Sequence, residues 1–358
     1  MSDPGPILIA GGYGVVGRHL AELLAPRYPG RLVIAGRDRD RAATTAAALA
    51  NGCLADHLDA ADAESVQAVI RSHRPTLVIS CAGRTEPALA HVCLAGGVHY
   101  IDVSADAPGI AAVEQLHELA VRSAATAVLS VGVAPGLTNL LALEVSSGLD
   151  HVERLDVGVQ LSIGDAHGAA AIDWTLANMG TPFPVATDRR KGAVPYERPF
   201  ATQHRLDFGG PARVRAGGFN FPEQRTLPRT LNVPEVRSWL ALRPRIVHAV
   251  AVFTVRTGLA RALGSPAVRA ALASAMGELI PHRGDSFAVC AEASGTRDGQ
   301  SQRISTWFAG HGEAAMTAEV AARVARLVLE SPQSPGVWHI EQLPAAQRLL
   351  NDITRRVG

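Results

Sequence analysis

The sequence predicts an α/β chain: an N-terminal doubly wound parallel sheet, then a second α+β domain built on a mixed or antiparallel sheet. Three observations carry this. Six short apolar runs alternate with helix-period segments between Ile7 and Val131, the pattern of a parallel sheet with crossover helices. The first run opens onto a glycine loop and then a helix. From Val152 the apolar period switches to two, the period of a half-buried strand.

The elements follow in order. Ile7-Leu8-Ile9-Ala10 is short enough to be a buried strand, Gly11-Gly12-Tyr13-Gly14-Val15-Val16-Gly17 follows at once, and Arg18 to Ala25 is an apolar-periodic helix. Strand, glycine loop and helix in that sequence are the Rossmann fingerprint of dinucleotide binding. The first glycines make the tight turn and admit a pyrophosphate to the backbone, Gly17 lets the helix approach the strand, and the helix N-terminus offers free N–H groups. The second strand, Arg31 to Ala35, ends in Gly36-Arg37-Asp38-Arg39. A site selective for NAD usually places an acidic residue at that strand end, whereas a guanidinium suits a 2′-phosphate. Gly36 and Arg37 therefore favour NADP(H) over NAD(H), with Arg39 and Arg41 adding positive potential. The same arginines also suit a solvated helix start, and Asp38 is an alternative partner for the ribose.

Strand and helix continue to alternate. Helices are expected at 42–50, 63–72, 85–95 and 110–123, and strands at 53–55, 76–80, 98–103 and 127–131. Asp59 and Asp62, after the third strand, fit either the adenine end of a cofactor or helix caps. Beyond Pro135 a helix at 138–147 precedes the alternating strand 152–163 and a helix at 169–178. The stretch 180–235, rich in Gly, Pro and Arg, is expected to be irregular and to cover a cleft, with strand candidates at 193–200 and 203–208. Residues 286–294 and 303–309 form a hairpin turning near Arg297-Asp298-Gly299. A helix at 314–329 is broken by Pro332 and Pro335, and 345–357 is a closing amphipathic helix. The expected domains are 1–135, 136–330, and a C-terminal segment, 331–358, packing back on the first.

Composition excludes several classes. At 358 residues, 47% hydrophobic and with net charge +1, nothing points to a nucleic-acid or membrane surface. No apolar run is long enough to span a bilayer and no signal-peptide pattern opens the chain, so a cytoplasmic protein is expected. Cys53, Cys81, Cys93 and Cys290 lack metal-type spacing, so no metal site is expected. Lys191 is the only lysine and position 187 is Thr, so the Tyr-x-x-x-Lys pair of short-chain reductases is missing. The loop Gly132-Val133-Ala134-Pro135-Gly136 holds no cysteine nucleophile of the kind semialdehyde dehydrogenases need. Cys81, ending the fourth strand, reads as a catalytic thiol or as a small buried apolar residue. Hydride transfer to a protonated imine needs a positioned nicotinamide and little else, whereas a ketone needs a proton donor.

Beyond the glycine loop, Ala35-Gly36-Arg37-Asp38, Ser80-Cys81-Ala82-Gly83, Cys93-Leu94-Ala95-Gly96-Gly97-Val98-His99-Tyr100-Ile101-Asp102-Val103-Ser104 and Gly132-Val133-Ala134-Pro135-Gly136-Leu137-Thr138-Asn139 make the first domain resemble the saccharopine dehydrogenase-like reductases. The second domain resembles them only loosely, through its hairpin-and-helix plan and Gly336-Val337-Trp338. The resemblance implies NAD(P)-dependent formation or cleavage of a secondary amine: an amine and an aldehyde or keto acid condense, and the imine is reduced, in many members for a specialised bacterial pathway. By position it puts Ser80, Cys81, Ala82 and Gly83 along the nicotinamide ribose, Asp102 and Ser104 near the reacting carbon, and Pro135, Gly136, Thr138 and Asn139 toward cofactor or substrate. Asp102 also fits a turn cap, and Thr138 and Asn139 also fit helix caps. The region 165–230 departs from the substrate segment of lysine-pathway enzymes. Among its polar groups Asp165, His167, Asp173, Arg189, Arg190, Arg198, His204 and Arg205, His167 and Asp173 join Asp102 as the candidate catalytic residues. A homodimer is expected by analogy with such folds. Three readings stay open: an NADPH-dependent imine reductase, a carbonyl or enone reductase, and a non-catalytic NADP-binding regulator.

Overall fold

The computed structural model describes residues 5–49, 51–162, 169–185, 196–279 and 285–355. The chain divides into two compact units, Met1–Gly132 with Ala314–Leu343, and Val133–Glu313 with Pro344–Gly358.

In the first unit β1 (Ile7–Ala10), β2 (Leu32–Gly36), β3 (Leu54–His57), β4 (Leu77–Ser80), β5 (His99–Asp102) and β6 (Thr126–Leu129) alternate with α1 (Val15–Leu24), α2 (Arg39–Ala48), α3 (Ala63–His73), α4 (Pro87–Ala95) and the pair α5 (Ala107–Glu114) and α6 (His117–Arg122). Every pairing in this sheet is parallel. A parallel sheet is covered on both faces, so its inner strands read as unbroken apolar runs. β1, β2, β4 and β6 are buried along their whole length, while the edge strand β3 is half exposed.

The second unit opens with α7 (Thr138–Ser147) and β7 (His151–Ser162), then α8 (Ala169–Gly180) and a minimal pair, β8 (Phe183–Pro184) and β9 (Tyr196–Glu197). Next come β10 (Gln203–Leu206), β11 (Val214–Gly218), α9 (Glu223–Thr230), β12 (Glu235–Arg243), α10 (Arg245–Arg256), α11 (Pro266–Leu279), β13 (Ser286–Arg297) and β14 (Gln300–His311). Six of these strands form one mixed sheet, ordered β10-β11-β12-β7-β13-β14 and antiparallel except for β12 against β7. The β13–β14 hairpin turns at Asp298 and Gly299, both at positive φ (51° and 74°), the backbone of a type I′ turn. α7 lies against β7, β13 and β14, and α9 against β12. The stretch 180–235 is therefore more ordered than its Gly and Pro content implies: it holds β10, β11 and α9.

The chain then returns. α12 (Glu313–Glu330) and β15 (Gly336–His339) belong to the first unit, and β15 becomes its seventh strand, giving the order β15-β6-β5-β4-β1-β2-β3. At the end of α12, Glu330 accepts hydrogen bonds from Tyr28 Oη (2.8 Å) and Arg27 Nε (3.2 Å). The return thus starts at 314 rather than 331. The closing helix α13 (Ala346–Thr354) belongs to the second unit and packs on α7, with Leu349, Leu350 and Ile353 buried.

Candidate nucleotide site

In the first sheet β1 is the strand at which the order turns: β2 and β3 lie to one side, β4, β5 and β6 to the other. Ligands of open α/β sheets sit outside the strand ends at such a point. The glycine loop closes there. Gly11 has φ +74°, and a Cβ on it would stand 2.6 Å from the Cys81 carbonyl oxygen. A Cβ on Gly17 would stand 2.4 Å from the Gly11 carbonyl oxygen, so only glycine lets α1 start this close to the loop. Gly12 is held by its N–H on the Ala35 carbonyl (3.3 Å), and Gly14, extended at ψ 173°, precedes α1 without a side-chain cap. Among the described residues no backbone hydrogen bond engages the N–H groups of Val15, Val16 and Gly17. The first turn of α1 therefore keeps its donors for another acceptor. A pyrophosphate fits that cradle by charge and by the space the missing Cβ atoms leave.

The end of β2 forms the adenosine side. Gly36 is needed there because a Cβ would stand 2.4 Å from the Tyr13 ring. Tyr13 Oη accepts from the Asp38 N–H (3.2 Å), and the Arg41 guanidinium stacks 4.5 Å from the ring centre. Asp38 Oδ1 accepts from the Arg41 N–H (3.0 Å) and caps α2, so its carboxylate is committed to the helix rather than to a ribose. Arg37 is exposed and makes no ion pair among the described residues, and Arg39 is exposed beside Asp56. Asp59 closes a turn through the Ala61 N–H (3.1 Å) and Asp62 caps α3 through the Glu64 N–H (3.0 Å). Both are local caps.

On the other side, Ser80 ends β4, and Cys81 leads into the exposed Ala82 and Gly83, the latter at φ +84°. Burial, with the nearby Asp102 carboxylate, pushes the Cys81 thiol up to about 12, which favours the thiol over the thiolate. Asp102, at the end of β5, is fully buried. Its Oδ2 accepts from Tyr100 Oη (2.7 Å), and its Oδ1 from Ser104 Oγ (2.6 Å), the Ser104 N–H (2.9 Å) and Thr85 Oγ1 (3.1 Å). Desolvation outweighs these donors and raises its pKa. Asp102 and Ser104 thus tie the loop after β4 to the loop after β5. Asp102, the candidate catalytic residue at this strand end, is thus a buried carboxylate with both oxygens hydrogen-bonded.

The other expected site residues belong to the second unit. Pro135 and Gly136 are buried ahead of α7, where the Gly136 N–H donates to Asn139 Oδ1 (3.0 Å) and Thr138 Oγ1 donates to the buried Glu223 (2.7 Å). Asp173 lies on an exposed face of α8 and accepts from Arg269 Nε (2.6 Å), joining α8 to α11. Asp165, His167, Arg189 and Arg190 lie outside the described residues.

Sequence reasoning did not single out Tyr13 as a stacking platform, nor Thr85 and Tyr100 as partners of Asp102. The spacing of Tyr100 and Asp102, two apart on one strand and so on one face, was the available signal. It also missed a chain at the sheet edge: His339 hydrogen-bonds Ser130 Oγ through Nδ1 and Glu114 through Nε2, both at 2.8 Å, joining β15 to β6 and α5. Among the described residues no cluster of His, Cys, Asp and Glu could hold a metal ion, and no helix is long and apolar enough to cross a membrane.

Residues 7–129 match the family model described as saccharopine dehydrogenase NADP binding domain. No curated protein matches the chain in sequence. Among solved structures, the apo histidine-tagged saccharopine dehydrogenase (L-Glu forming) from Saccharomyces cerevisiae is similar over 98% of this chain and 97% of that one, with 12% identity and a TM-score of 0.69. At that identity the likeness is one of fold. Looser likenesses, each covering 99% of both chains at 13% identity, are to the C. glutamicum DAP dehydrogenase in complex with DAP (TM-score 0.47) and to an engineered D-amino acid dehydrogenase bound to NADP+ (TM-score 0.45).

Proposed function

We propose, from the match of residues 7–129 to the family model described as saccharopine dehydrogenase NADP binding domain, that the protein is an NADPH-dependent reductase of imines formed from an amine or amino acid and an aldehyde or keto acid. The observation that carries this reading is the closure of the carboxylate beside the glycine loop. Asp102 is buried with both oxygens engaged by Tyr100, Thr85 and Ser104, so they are committed to the protein rather than to a developing alkoxide. A protonated imine needs no proton donor; it needs orientation.

NADPH bound in the cradle supplies the hydride. The uncapped N–H groups of α1 receive the pyrophosphate, Tyr13 and Gly36 shape the adenosine side, and Arg37 receives the 2′-phosphate. Ala82 and Gly83, on the loop fixed by the Thr85–Asp102–Ser104 network, flank the nicotinamide ribose.

The test is NADPH oxidation with a panel of aldehydes and keto acids, each with and without amino acids and polyamines. Oxidation that requires both partners is the expected result. Oxidation with the carbonyl alone would move the reading to a carbonyl or enone reductase, and NADPH binding without turnover on any pair would leave a nucleotide-binding regulator.

A further inference from the structure

The second unit contains a cavity of about 510 Å3 that the nucleotide reading does not use. Its floor is one row of the mixed sheet: the register aligns Gln160 of β7, Ala288 of β13 and Ala309 of β14. Two of these three are alanine, so the row lies low. The loop between β10 and β11 crosses over it. Asp207 donates its N–H to the buried Glu292 of β13 (3.0 Å), Arg213 adds two bonds to the same carboxylate (2.6 Å each), and a Cβ on Gly209 would strike the Trp307 ring of β14 at 2.4 Å. The loop is thus pinned at both ends of its span, and the space beneath it is built into the fold.

Two features of this space point to a ligand. Gln160 lines it, is only 5% exposed, and makes no side-chain hydrogen bond among the described residues. An amide that faces the cavity and is not taken by a neighbour is free to bind what enters it. Secondly, among the described residues no acidic side chain lines the cavity, whereas Arg243 and Arg245 do, and neither makes an ion pair with a described residue. Unpaired guanidinium groups at a pocket rim select an anion. Trp307, 49% exposed, flanks the apolar floor and offers a ring face. The volume lies within the range of small-molecule pockets.

We propose that this cavity binds a small organic anion with a flat apolar body: the carboxylate or phosphate-like group on Arg243 and Arg245 with the Gln160 amide of the neighbouring strand beside it, and the body over Ala288 and Ala309 beside Trp307. The site depends on the second unit alone and stands or falls separately from the nucleotide reading.

Four probes test it on the full chain by calorimetry, with Trp307 emission as a second readout: 4-hydroxyphenylacetate, 4-hydroxybenzylphosphonate, phenylacetate, and tyrosol, which keeps the ring and phenol but lacks the anion. The expected result is saturable binding of the first two, about tenfold weaker binding of tyrosol, and a response lost in Trp307→Phe. The stronger of the first two distinguishes a carboxylate from a phosphate-like ligand. Arg243→Ala with Arg245→Ala should abolish the advantage over tyrosol. Gln160→Met should weaken 4-hydroxyphenylacetate and phenylacetate alike and leave tyrosol unchanged, because the amide stands beside the anion. Equal binding of tyrosol and the anions, or no saturable binding of any probe, overturns the proposal. So does a Gln160→Met variant whose affinity for both carboxylates is unchanged. Trp307 emission that changes with protein concentration and ignores every probe overturns it in favour of a contact between copies.

Discussion

Asp102 is a carboxylate that folding has placed where ionisation is costly. Four donors converge on it, yet burial still raises its pKa. With the folded value above the unfolded one, the folded state holds the proton more tightly; the ionised group opposes folding at neutral pH, and this is relieved as pH falls through the raised value toward about 3.9. Asp102→Asn presents an amide N–H2 in place of one acceptor and leaves a donor among Tyr100, Thr85 and Ser104 unpaired, so we expect it to lose about 1–3 kcal/mol at neutral pH. The gap between wild type and variant should widen on acidification, since only the wild type gains from protonation; urea titrations at several pH values read both effects. Arg37 is the opposite case, a charge with nothing to hold. Arg37→Ala should weaken NADPH by about tenfold or more and leave NADH unchanged; equal loss for the two cofactors would remove the 2′-phosphate reading. At this scale the sequence was legible where the backbone itself imposes the residue, as at Gly11, Gly17 and Gly36. Asp102 was located correctly at a strand end, but its role depends on Thr85, which another loop delivers, and no local pattern encodes that meeting.

Helix α2 shows how one residue type serves two readings. An aspartate just past β2 fits a ribose partner or an N-cap, and the fold uses Asp38 as the cap. Asp38→Ala should therefore cost about 1 kcal/mol of stability, the usual loss at an N-cap. Its NADH and NADPH affinities should change little and together, because the carboxylate is turned to the Arg41 N–H. Strong loss of NADH binding alone would restore the ribose role. The elements that read well from sequence are those with local instructions: the strand–loop–helix start, the alternation along β7, and the Asp298-Gly299 turn that sets the hairpin register. The elements that did not read are set by distant partners. β12 pairs in parallel with β7 from about eighty residues away, in register Glu235 with Arg154 through Arg243 with Ser162. Neither strand carries a local mark of that choice, and the Gly and Pro of the intervening stretch mask β11 and α9.

At the scale of the chain the two units are interleaved. The first takes α12 and β15 after the second has been built, and the second then takes back α13. Each therefore depends on a late segment for its core, and the segments are not interchangeable. β15 completes a parallel sheet by pairing Gly336–His339 with Thr126–Leu129, a backbone requirement. α13 contributes a side-chain stripe, with Leu350 2% exposed in contact with the α7 side of the second unit. Leu350→Ala leaves a cavity there and should cost about 2–5 kcal/mol. The loss should be confined to one unit. Hydrogen exchange in α7, β7 and β13 should quicken, because α7 bridges α13 and the mixed sheet, while β1, β4 and β5 keep their protection, because their core is drawn from other segments. Equal loss of protection in both sheets would mean that the two cores unfold as one cooperative body, and that α13 stabilises the whole chain rather than the unit it joins.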